Sequence, residues 1–298
     1  MKVYILPIEK SLQPLNQNLL YPNHNRDYGV EQDFLKWLNT HAYLTTNNPD
    51  EADWHYLPVF WTRWHINHNF AANGEGLREL QAFVGQAIIN SEKTFTITQF
   101  DGGTLIDLGE TIEFTAAKTT NNGIDIPILC SLHKMPLFPV RKKFIASFNG
   151  SFDTHQIREE IRIRFTDDRS VNIAGNQTTR FYKRWLQGKQ FNLNILASYV
   201  ALCPRGTSAN SFRFFEAMQF GVAPCLIGDI DVRPFQKFIN WNEMSYYVAN
   251  VDELVFLLSN LNKRDALKKG GIAKSFFRKE LYYQKWCSYV IKELTELS

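Results

Sequence analysis

Two arginines flank the start of a predicted helix in the second half of the chain. Arg205 lies in a polar loop after an apolar strand, and Arg213 lies in the first turn of the helix. Asn210 and Ser211 are good residues to begin that helix, and Gly221 suits its left-handed end. The N–H groups and partial positive charge of a helix N-terminus attract phosphate, and guanidinium groups bind phosphate oxygens in pairs. The pattern predicts a site for a nucleoside diphosphate.

Glu216 extends this predicted site along the helix. It follows Arg213 by three residues and therefore shares its helix face, where its carboxylate could accept hydrogen bonds from ribose hydroxyls. Gly206 in the loop and Phe212 at the helix start are assigned to the same site. The alternative interpretation is a surface ion-pair network at a helix start. These residues, taken alone, do not decide between the two.

The segment and its surroundings resemble a known family, the exostosin-type glycosyltransferases. Those proteins show a Pro-Arg-Gly loop, a Ser-Phe-Arg-Phe-x-Glu-Ala helix, a strand with a proline, a Leu-Pro-Phe stretch and an Ile-(Asp/Asn)-Trp. The matching residues here are, in order, 204–206, 211–217, Pro224, 233–235 and 239–241. Arg233 departs from the family pattern, because leucine is usual at that position.

Weaker matches extend the resemblance over most of the chain. They are 48–53 with 56–60, the loop 99–103, 125–127, and 141–148 followed by Asn149-Gly150. The resemblance implies the GT-B fold, an α/β architecture of two facing Rossmann-like domains with an interdomain cleft. It also implies an inverting glycosyltransferase that uses a nucleoside-diphosphate sugar, with UDP as the expected nucleotide, in a single displacement.

The resemblance assigns roles to the residues of the first motif. Arg205 and Arg213 would hold the diphosphate. Ser211 would supply the helix N-terminus, and Glu216 would bind the ribose. Three further residues are assigned to the donor side: Arg141, Arg158 and Asp229. Because such cations stabilise a departing diphosphate more in the transition state than in the ground state, the expected reaction requires no metal or other cofactor.

Asp229-Ile230-Asp231 is similar to the metal-binding Asp-x-Asp of a different glycosyltransferase fold. So short a triplet often arises by chance, and this one follows a strand in a half already supplied with arginines. A turn or a contact with a sugar hydroxyl is the favoured role for these carboxylates. His65 and His68 lack the cluster of partners that a metal site needs.

A general base must take a proton from the acceptor hydroxyl as that oxygen attacks the anomeric carbon. It is expected in the N-terminal half, across the cleft from the donor. The candidates are Asp101, which follows a predicted strand, and His24 and Asp27 in the first long loop. Ligands collect at the carboxyl ends of strands in open α/β sheets. An aspartate that begins the turn at Gly102-Gly103 is an equally good interpretation of Asp101.

Trp61 and Trp64 are candidates for an acceptor-binding surface. Flat aromatic rings stack well on the C–H faces of sugars. Large aromatic side chains are also common in protein cores, and core or rim packing is the favoured alternative for both tryptophans.

The elements that must position these residues alternate between strands and helices. In the N-terminal half the pattern predicts strands at 2–8, 42–45, 54–60 and 94–100, with helices at 31–38 and 77–89. In the C-terminal half it predicts strands at 141–148 and up to 203, with helices at 156–165, from Ser211 to Gly221, and at 272–297. This alternation implies parallel sheets. We expect an acceptor-side Rossmann-like domain at 1–140 and a nucleotide-sugar-binding one at 141–298, whose terminal helix crosses back to the first.

Composition is that of an ordinary globular protein. The chain is 44% hydrophobic with a net charge of +3. Residues 1–140 hold 9 Lys+Arg against 15 Asp+Glu, whereas 141–298 hold 24 against 15, and a basic half suits a dianionic donor. The expected partners are a nucleotide sugar and a carbohydrate or glycoconjugate acceptor. Nucleic acid is not expected, because the basic residues do not cluster with aromatics in an RNA-binding pattern.

The expected compartment follows from the cysteines and the first residues. Four widely spaced cysteines fit a reduced compartment. The apolar start is shorter than a signal peptide, and no apolar run is long enough to span a membrane. Animal and plant members of the family usually carry an anchor at this point. We therefore expect a cytoplasmic protein, or a soluble form that lacks its membrane anchor.

Two other functions remain open at this point. A catalytically silent protein that binds nucleotide sugars or glycans would keep the fold, because fold does not guarantee activity. A different nucleotide-sugar enzyme, such as an epimerase, would leave UDP attached to its product. The sugar, the acceptor, the linkage and the oligomeric state are not predicted.

Overall fold

A computed structural model describes residues 1–14, 29–128, 132–175 and 190–298 of the chain. These residues form two compact units. The first unit comprises Met1–Leu129, Arg233–Phe235 and Leu281–Ser298, and the second comprises Cys130–Val232 and Gln236–Glu280. Each unit is built on its own parallel sheet.

The sheet of the first unit has six described strands. They are β1 (Val3–Ile5), β2 (Thr45–Thr46), β3 (Trp54–Leu57), β4 (Thr94–Thr98), β5 (Ile112–Thr115) and β6 (Ile124–Asp125). Their order is β2-β1-β3-β4-β5-β6, and every neighbouring pair is parallel.

The sheet of the second unit has five described strands. They are β7 (Phe144–Gly150), β8 (Val171–Gly175), β9 (Ser198–Pro204), β10 (Ala223–Ile227) and β11 (Tyr246–Val248). Their order is β11-β10-β9-β7-β8, again with every pair parallel.

Helices follow most of the strands, as parallel connections require. The α-helices of the described ranges are α1 (Val30–Asn39), α2 (Trp61–Asn67), α3 (Leu77–Ala87), α4 (Gln156–Arg164), α5 (Phe212–Phe220), α6 (Val251–Ser259), α7 (Lys263–Phe276) and α8 (Cys287–Leu297). The shorter helical turns are Lys10–Leu12, Ala42–Leu44, Pro49–Glu51, Asn69–Gly74, Ser91–Lys93, Trp241–Glu243 and Tyr283–Trp286, and a π-helical turn spans Phe277–Leu281.

The core of the first unit lies around its central strands. Every residue of β3 and β4 is buried, as expected when elements cover both faces of a parallel sheet. The ring of Phe34 on α1 lies 5.0 Å from the ring of Tyr56 and 5.9 Å from that of Phe95. Trp54 Nε1 donates to the Leu294 carbonyl at 3.1 Å, so α8 is part of this core.

The core of the second unit is formed by β7, β9 and β10 with the helices beside them. Phe148, Val200 and Ile227 are at most 1% exposed and belong to one apolar cluster. Cys203 and Cys225 are also fully buried on β9 and β10, as expected for cysteines that act as small core residues.

The strand order identifies where the sheet of the second unit is best suited to bind a ligand. In the second unit the chain passes from β7 outward to β8 and then returns to the other side of β7 to form β9. In such open sheets the crevice outside the carboxyl ends of the two strands at this reversal is the usual binding place. Here those ends are Gly150 on β7 and Pro204 on β9.

The predicted α/β class, with two Rossmann-like parallel sheets, is confirmed. The local assignments differ in several places. Strands β5, β6, β8 and β11 and helix α6 were not predicted. Residues 42–44 form a helical turn rather than a strand. The segment from Trp61 is a helix that the sequence analysis did not predict. The predicted helix at 272–297 is α7 and α8 separated by irregular helical turns. Local propensity is a weak guide at such short or interrupted elements.

None of the helices in the described ranges combines the length and the apolar character needed to cross a membrane.

Candidate functional site

The helix predicted at the first motif is present and has the predicted ends. Ser211 lies at the N-cap with extended backbone, and Gly221 ends α5 with a φ of 73°, which is the left-handed conformation that glycine adopts most readily. The Ser211 hydroxyl makes no capping hydrogen bond. The Ser211 side chain therefore does not occupy the N–H groups of the first turn of α5, and a helix N-terminus of this kind is suited to an anion.

Arg205 lies directly after β9 in a fixed backbone conformation. Its N–H donates to the Ile227 carbonyl at 2.9 Å, and its Nη1 forms an ion pair with Asp229. Burial opposes ionisation of the Asp229 carboxyl, but the hydrogen bond and charge of Arg205 outweigh it and lower its pKa. The Arg205 Nε is buried and has no hydrogen-bond partner among the described residues.

Arg213 reaches from α5 to the end of β7. Its Nη2 donates to the Asn149 carbonyl, and its guanidinium carbon lies 4.6 Å from the centre of the Phe148 ring and 5.5 Å from that of Phe191. Burial lowers the pKa of Arg213, although a guanidinium remains charged at neutral pH. Its Nε is also buried and makes no hydrogen bond within the described ranges.

Arg158 on α4 binds the backbone at the carboxyl ends of the strands. Its Nε donates to the Arg205 carbonyl at 2.8 Å, its Nη1 to the Ser151 carbonyl at 3.0 Å and its Nη2 to the Pro204 carbonyl at 3.2 Å. Burial, followed by the charge of Arg213, lowers its pKa to about 10. Arg158 therefore uses its N–H groups to hold the loop of the site. It was predicted to bind the nucleotide sugar instead.

Three glycines at the carboxyl ends of the strands allow these arginines to approach the backbone. A Cβ at Gly150 would lie 2.7 Å from Arg213 Nη2, and one at Gly206 would lie 2.9 Å from Arg158 Nη2. A Cβ at Gly228, just after β10, would lie 3.2 Å from the Arg205 side chain. Gly206 thus belongs to the site through its lack of a side chain.

Glu216 is buried on α5, and its Oε1 accepts from Nε2 of His133 at 2.9 Å. The sequence analysis did not single out His133, which precedes β7. Its distance of 83 residues from Glu216 left no local signal. Phe212, also assigned to the site, is the first residue of α5 and is half-buried.

His155 is a second residue that the sequence analysis missed. It is the N-cap of α4, and its Nδ1 accepts from the Ile157 N–H at 3.2 Å, so the ring proton is on Nε2. Burial lowers its pKa, and the charge of Arg205 adds to this effect. His155 is therefore neutral at neutral pH and lies close to the charged groups of the site. Its position between a strand and the start of a helix was the signal in the sequence that could have identified it as a site residue.

Arg141 is not brought to this site by the fold. It is exposed and precedes β7, whereas Gly150 ends that strand. Seven residues of strand span about 20 Å. Arg141 is therefore at the amino edge of the sheet, and Arg205, Arg213 and Glu216 are at or beyond the carboxyl edge.

Asp101 is the only base candidate in the described ranges. It is half-buried in the turn after β4, where the Gly103 N–H donates to the Phe100 carbonyl at 3.0 Å. This places its carboxylate at the carboxyl edge of the first sheet. The same position fits the alternative interpretation, in which Asp101 begins the turn at Gly102-Gly103. His24 and Asp27 lie outside the described residues.

Trp61 and Trp64 do not form an exposed surface. Trp61 is fully buried and its Nε1 donates to Thr96 Oγ1 at 2.8 Å. Trp64 is 3% exposed and stacks on His68 with ring centres 3.8 Å apart. The structure thus favours the core-packing alternative and corrects their assignment to acceptor binding, because neither ring presents a face to solvent.

A buried carboxyl group links the start of α2 to the loop after β4 in the first unit. Glu31 is fully buried, and its Oε1 accepts from Thr62 N at 3.1 Å, Thr62 Oγ1 at 2.9 Å and Gln99 N at 3.0 Å. Burial raises the pKa of Glu31 to about 8. Glu31 was not among the predicted site residues; it fixes the backbone of Gln99, two residues before Asp101.

Possible metal ligands are scattered in the part of the chain that the structure describes. No group there of three or more His, Cys, Asp or Glu side chains could hold a metal ion. In the Asp229-Ile230-Asp231 triplet, the first carboxylate is paired with Arg205.

The fold and this site define a class: α/β proteins with doubly wound parallel sheets and cationic groups at a topological switch point. Comparison with known proteins gives the family. The sequence profile of the Exostosin GT47 domain matches residues 1–261. The chain belongs to the exostosin GT47 family of glycosyltransferases.

Individual relatives are distant and differ in length. Exostosin-1 homolog of Caenorhabditis elegans is 22% identical, over 85% of this chain and 73% of its own. Probable glucuronosyltransferase GUT1 of Oryza sativa subsp. japonica is 23% identical, over 76% and 63%. Probable beta-1,4-xylosyltransferase IRX10 of Arabidopsis thaliana is 27% identical, over 40% and 27%. The chain therefore spans less than two thirds of the last two.

Proposed function

We propose that the chain transfers a sugar from a UDP-sugar to a hydroxyl of a carbohydrate or glycoconjugate acceptor, with inversion at the anomeric carbon. One observation carries the proposal: Arg205, Arg213 and the first turn of α5 meet at the switch point of the second sheet. Membership of the family supports sugar transfer as the reaction. The names of the two plant relatives support UDP-glucuronic acid and UDP-xylose as the first donors to test.

The two arginines and the helix N-terminus would bind the diphosphate. Arg205 Nε and Arg213 Nε are buried donors with no acceptor in the described residues, and such groups are costly unless a partner completes them. Phosphate oxygens are suitable acceptors. As the glycosidic bond to the β-phosphate breaks, negative charge grows on UDP, and fixed cations stabilise that charge without reorganisation.

Glu216 would bind the ribose, and Asp101 would act as the general base. In this scheme the acceptor oxygen attacks the anomeric carbon on the face opposite UDP, while its proton passes to the Asp101 carboxylate. The new C–O bond forms as the bond to the β-phosphate oxygen breaks, and UDP leaves with that electron pair. The arginines supply the positive charge for this step, so no metal is included in the scheme.

Donor hydrolysis without acceptor tests the proposal. The protein is incubated with UDP-glucuronic acid or UDP-xylose, and free UDP is measured over time, with binding measured in parallel by calorimetry. Steady release of UDP that stops in Arg213→Ala supports the proposed reaction. Binding without release would instead indicate a catalytically silent protein, and an altered sugar still attached to UDP would indicate an epimerase.

A further inference from the structure

His133 and Glu216 form a partly buried hydrogen-bonded pair beside the proposed diphosphate site. The Nε2 of His133 lies 2.9 Å from Oε1 of Glu216, and the two side chains are 17% and 8% exposed. The other carboxylate oxygen, Oε2, makes no hydrogen bond among the described residues. The pair therefore fixes one oxygen of the carboxylate and leaves the second for a ligand.

His133 is itself held against α5 by two further contacts. Its backbone N–H donates to Gln219 Oε1 at 3.1 Å, and its ring stacks on Phe220 with centres 5.1 Å apart. Three residues of α5 thus contact His133, which precedes β7. An imidazole anchored in this way is a fixed donor, and fixed donors orient their partners at little further entropic cost.

The geometry also keeps Glu216 apart from Arg213. Residues three apart on a helix can form an ion pair, and the charge of Glu216 does raise the pKa of Arg213. Yet no ion pair joins the two within the described ranges, because Oε1 is directed to His133. Arg213 is thereby left to face an anion, and Glu216 to face neutral donors such as hydroxyls.

We propose that His133 is a positioning residue that directs the Glu216 carboxylate to the ribose hydroxyls of the nucleotide. This inference rests on the proposed function, since it requires a ribose at Glu216. His133 does not touch the reacting atoms. It selects the orientation of Glu216 in which Oε2 accepts from the 2′ or 3′ hydroxyl of UDP.

Binding of deoxynucleotides tests this proposal through a readout that general destabilisation does not produce. Affinities for UDP, 2′-deoxy-UDP and 3′-deoxy-UDP are measured by calorimetry for the wild type, His133→Phe and His133→Gln. The wild type should lose about tenfold or more in affinity for at least one deoxy form, as expected for a hydrogen bond to a charged group. His133→Phe keeps an aromatic ring for Phe220 but lacks the donor, so it should bind UDP more weakly and lose that discrimination.

His133→Gln is the matched control, because a glutamine amide can place its N–H near the position of the imidazole Nε2–H. It should restore most of the discrimination. If His133→Phe discriminates as well as the wild type, the positioning role is overturned. If the wild type binds UDP but treats all three nucleotides alike, the ribose contact of Glu216 is wrong and this inference with it. Failure of the wild type to bind UDP would overturn the proposed function itself.

Discussion

The guanidinium of Arg158 holds the backbone of Arg205, with Nε donating to the Arg205 carbonyl at 2.8 Å. Its other nitrogens bind the carbonyls of Pro204 and Ser151. One arginine thus fixes the loop from which another projects. This separates the arginines of the site into a structural clamp, Arg158, and two groups whose buried Nε atoms make no hydrogen bond among the described residues.

Arg158→Ala should destabilise the second unit and weaken UDP binding together. Three carbonyls would lose a charged donor, and unsatisfied buried groups cost roughly 1–3 kcal/mol each, partly relieved by water. Urea unfolding and calorimetry measure the two effects. Arg162→Ala is the control and should change both far less. It lies one turn along α4, where its guanidinium pairs with exposed Glu159 and lies 6.0 Å from the centre of the Phe152 ring. A fully stable Arg158→Ala protein would contradict the clamp.

Arg213→Ala should weaken UDP binding and reduce turnover by more than tenfold. A hydrogen bond to a charged group contributes about 1.5–3 kcal/mol, and this charge also stabilises the leaving group. Calorimetry with UDP and the rate of UDP release provide the measurements. The exposed Arg164→Ala on α4 should behave as wild type. Unchanged affinity and rate in Arg213→Ala would remove its role.

Gly150→Ala should reduce UDP affinity, with some loss of stability because the new Cβ would also lie 3.2 Å from the buried Phe148 ring. The new Cβ would lie 2.7 Å from Arg213 Nη2, and the flexible end of that side chain can move aside, which takes the guanidinium from its place. Gly85→Ala on α3, where a Cβ meets nothing within 4 Å, should leave binding intact and preserve or raise stability. Normal UDP affinity in Gly150→Ala would show that the position of Arg213 is not important.

Glu31 should make stability depend on pH with a defined sign. Its folded pKa of about 8 exceeds the ordinary value of 4.5, so between these values the folded state holds a proton that the unfolded state has released. Stability is therefore greatest below the lower value and falls as pH rises, by up to about 1.4 kcal/mol per pH unit.

Glu31→Gln removes this dependence, because the amide cannot titrate and its oxygen can still accept from Thr62 and Gln99. Urea unfolding of both proteins at about pH 5.5 and about pH 7.5 gives the comparison. The free energy of unfolding of the wild type minus that of the variant should be smaller at the higher pH. This difference removes the contributions of other titrating groups, which both proteins share. One such group is His65, because burial lowers its pKa to about 4. A difference that grows with pH would show that Glu31 is ionised in the folded protein.

Asp101→Asn should lower the transfer rate while UDP affinity stays nearly constant, since an amide cannot take the acceptor proton. Transfer to an acceptor and calorimetry with UDP separate the two effects. Asp50→Asn, an exposed aspartate of the same unit, serves as control. An active Asp101→Asn enzyme would shift the base to His24 or Asp27.

Much of the second unit's site could be predicted from local sequence. The polar loop, the N-cap position of Ser211 and the left-handed Gly221 depend on neighbours a few residues apart, and the order of motifs indicated the family. The roles of Arg158 and Arg141 could not be obtained in this way, and for the two tryptophans core packing was only the favoured alternative. Each of these roles depends on whether the side chain lies at a particular strand end or in the core.

By itself, the sequence determined that a helix begins after Ser211 with two arginines near its N-terminus, and that the chain alternates strands and helices. Only the tertiary structure decided that Gly150 meets Arg213, that His133 binds Glu216 and that Glu31 joins the start of α2 at Thr62 to the loop at Gln99. The physical reason is range. Caps and turns follow from hydrogen bonds between near neighbours, whereas these contacts join residues far apart in sequence that meet only when parallel strands pair in register.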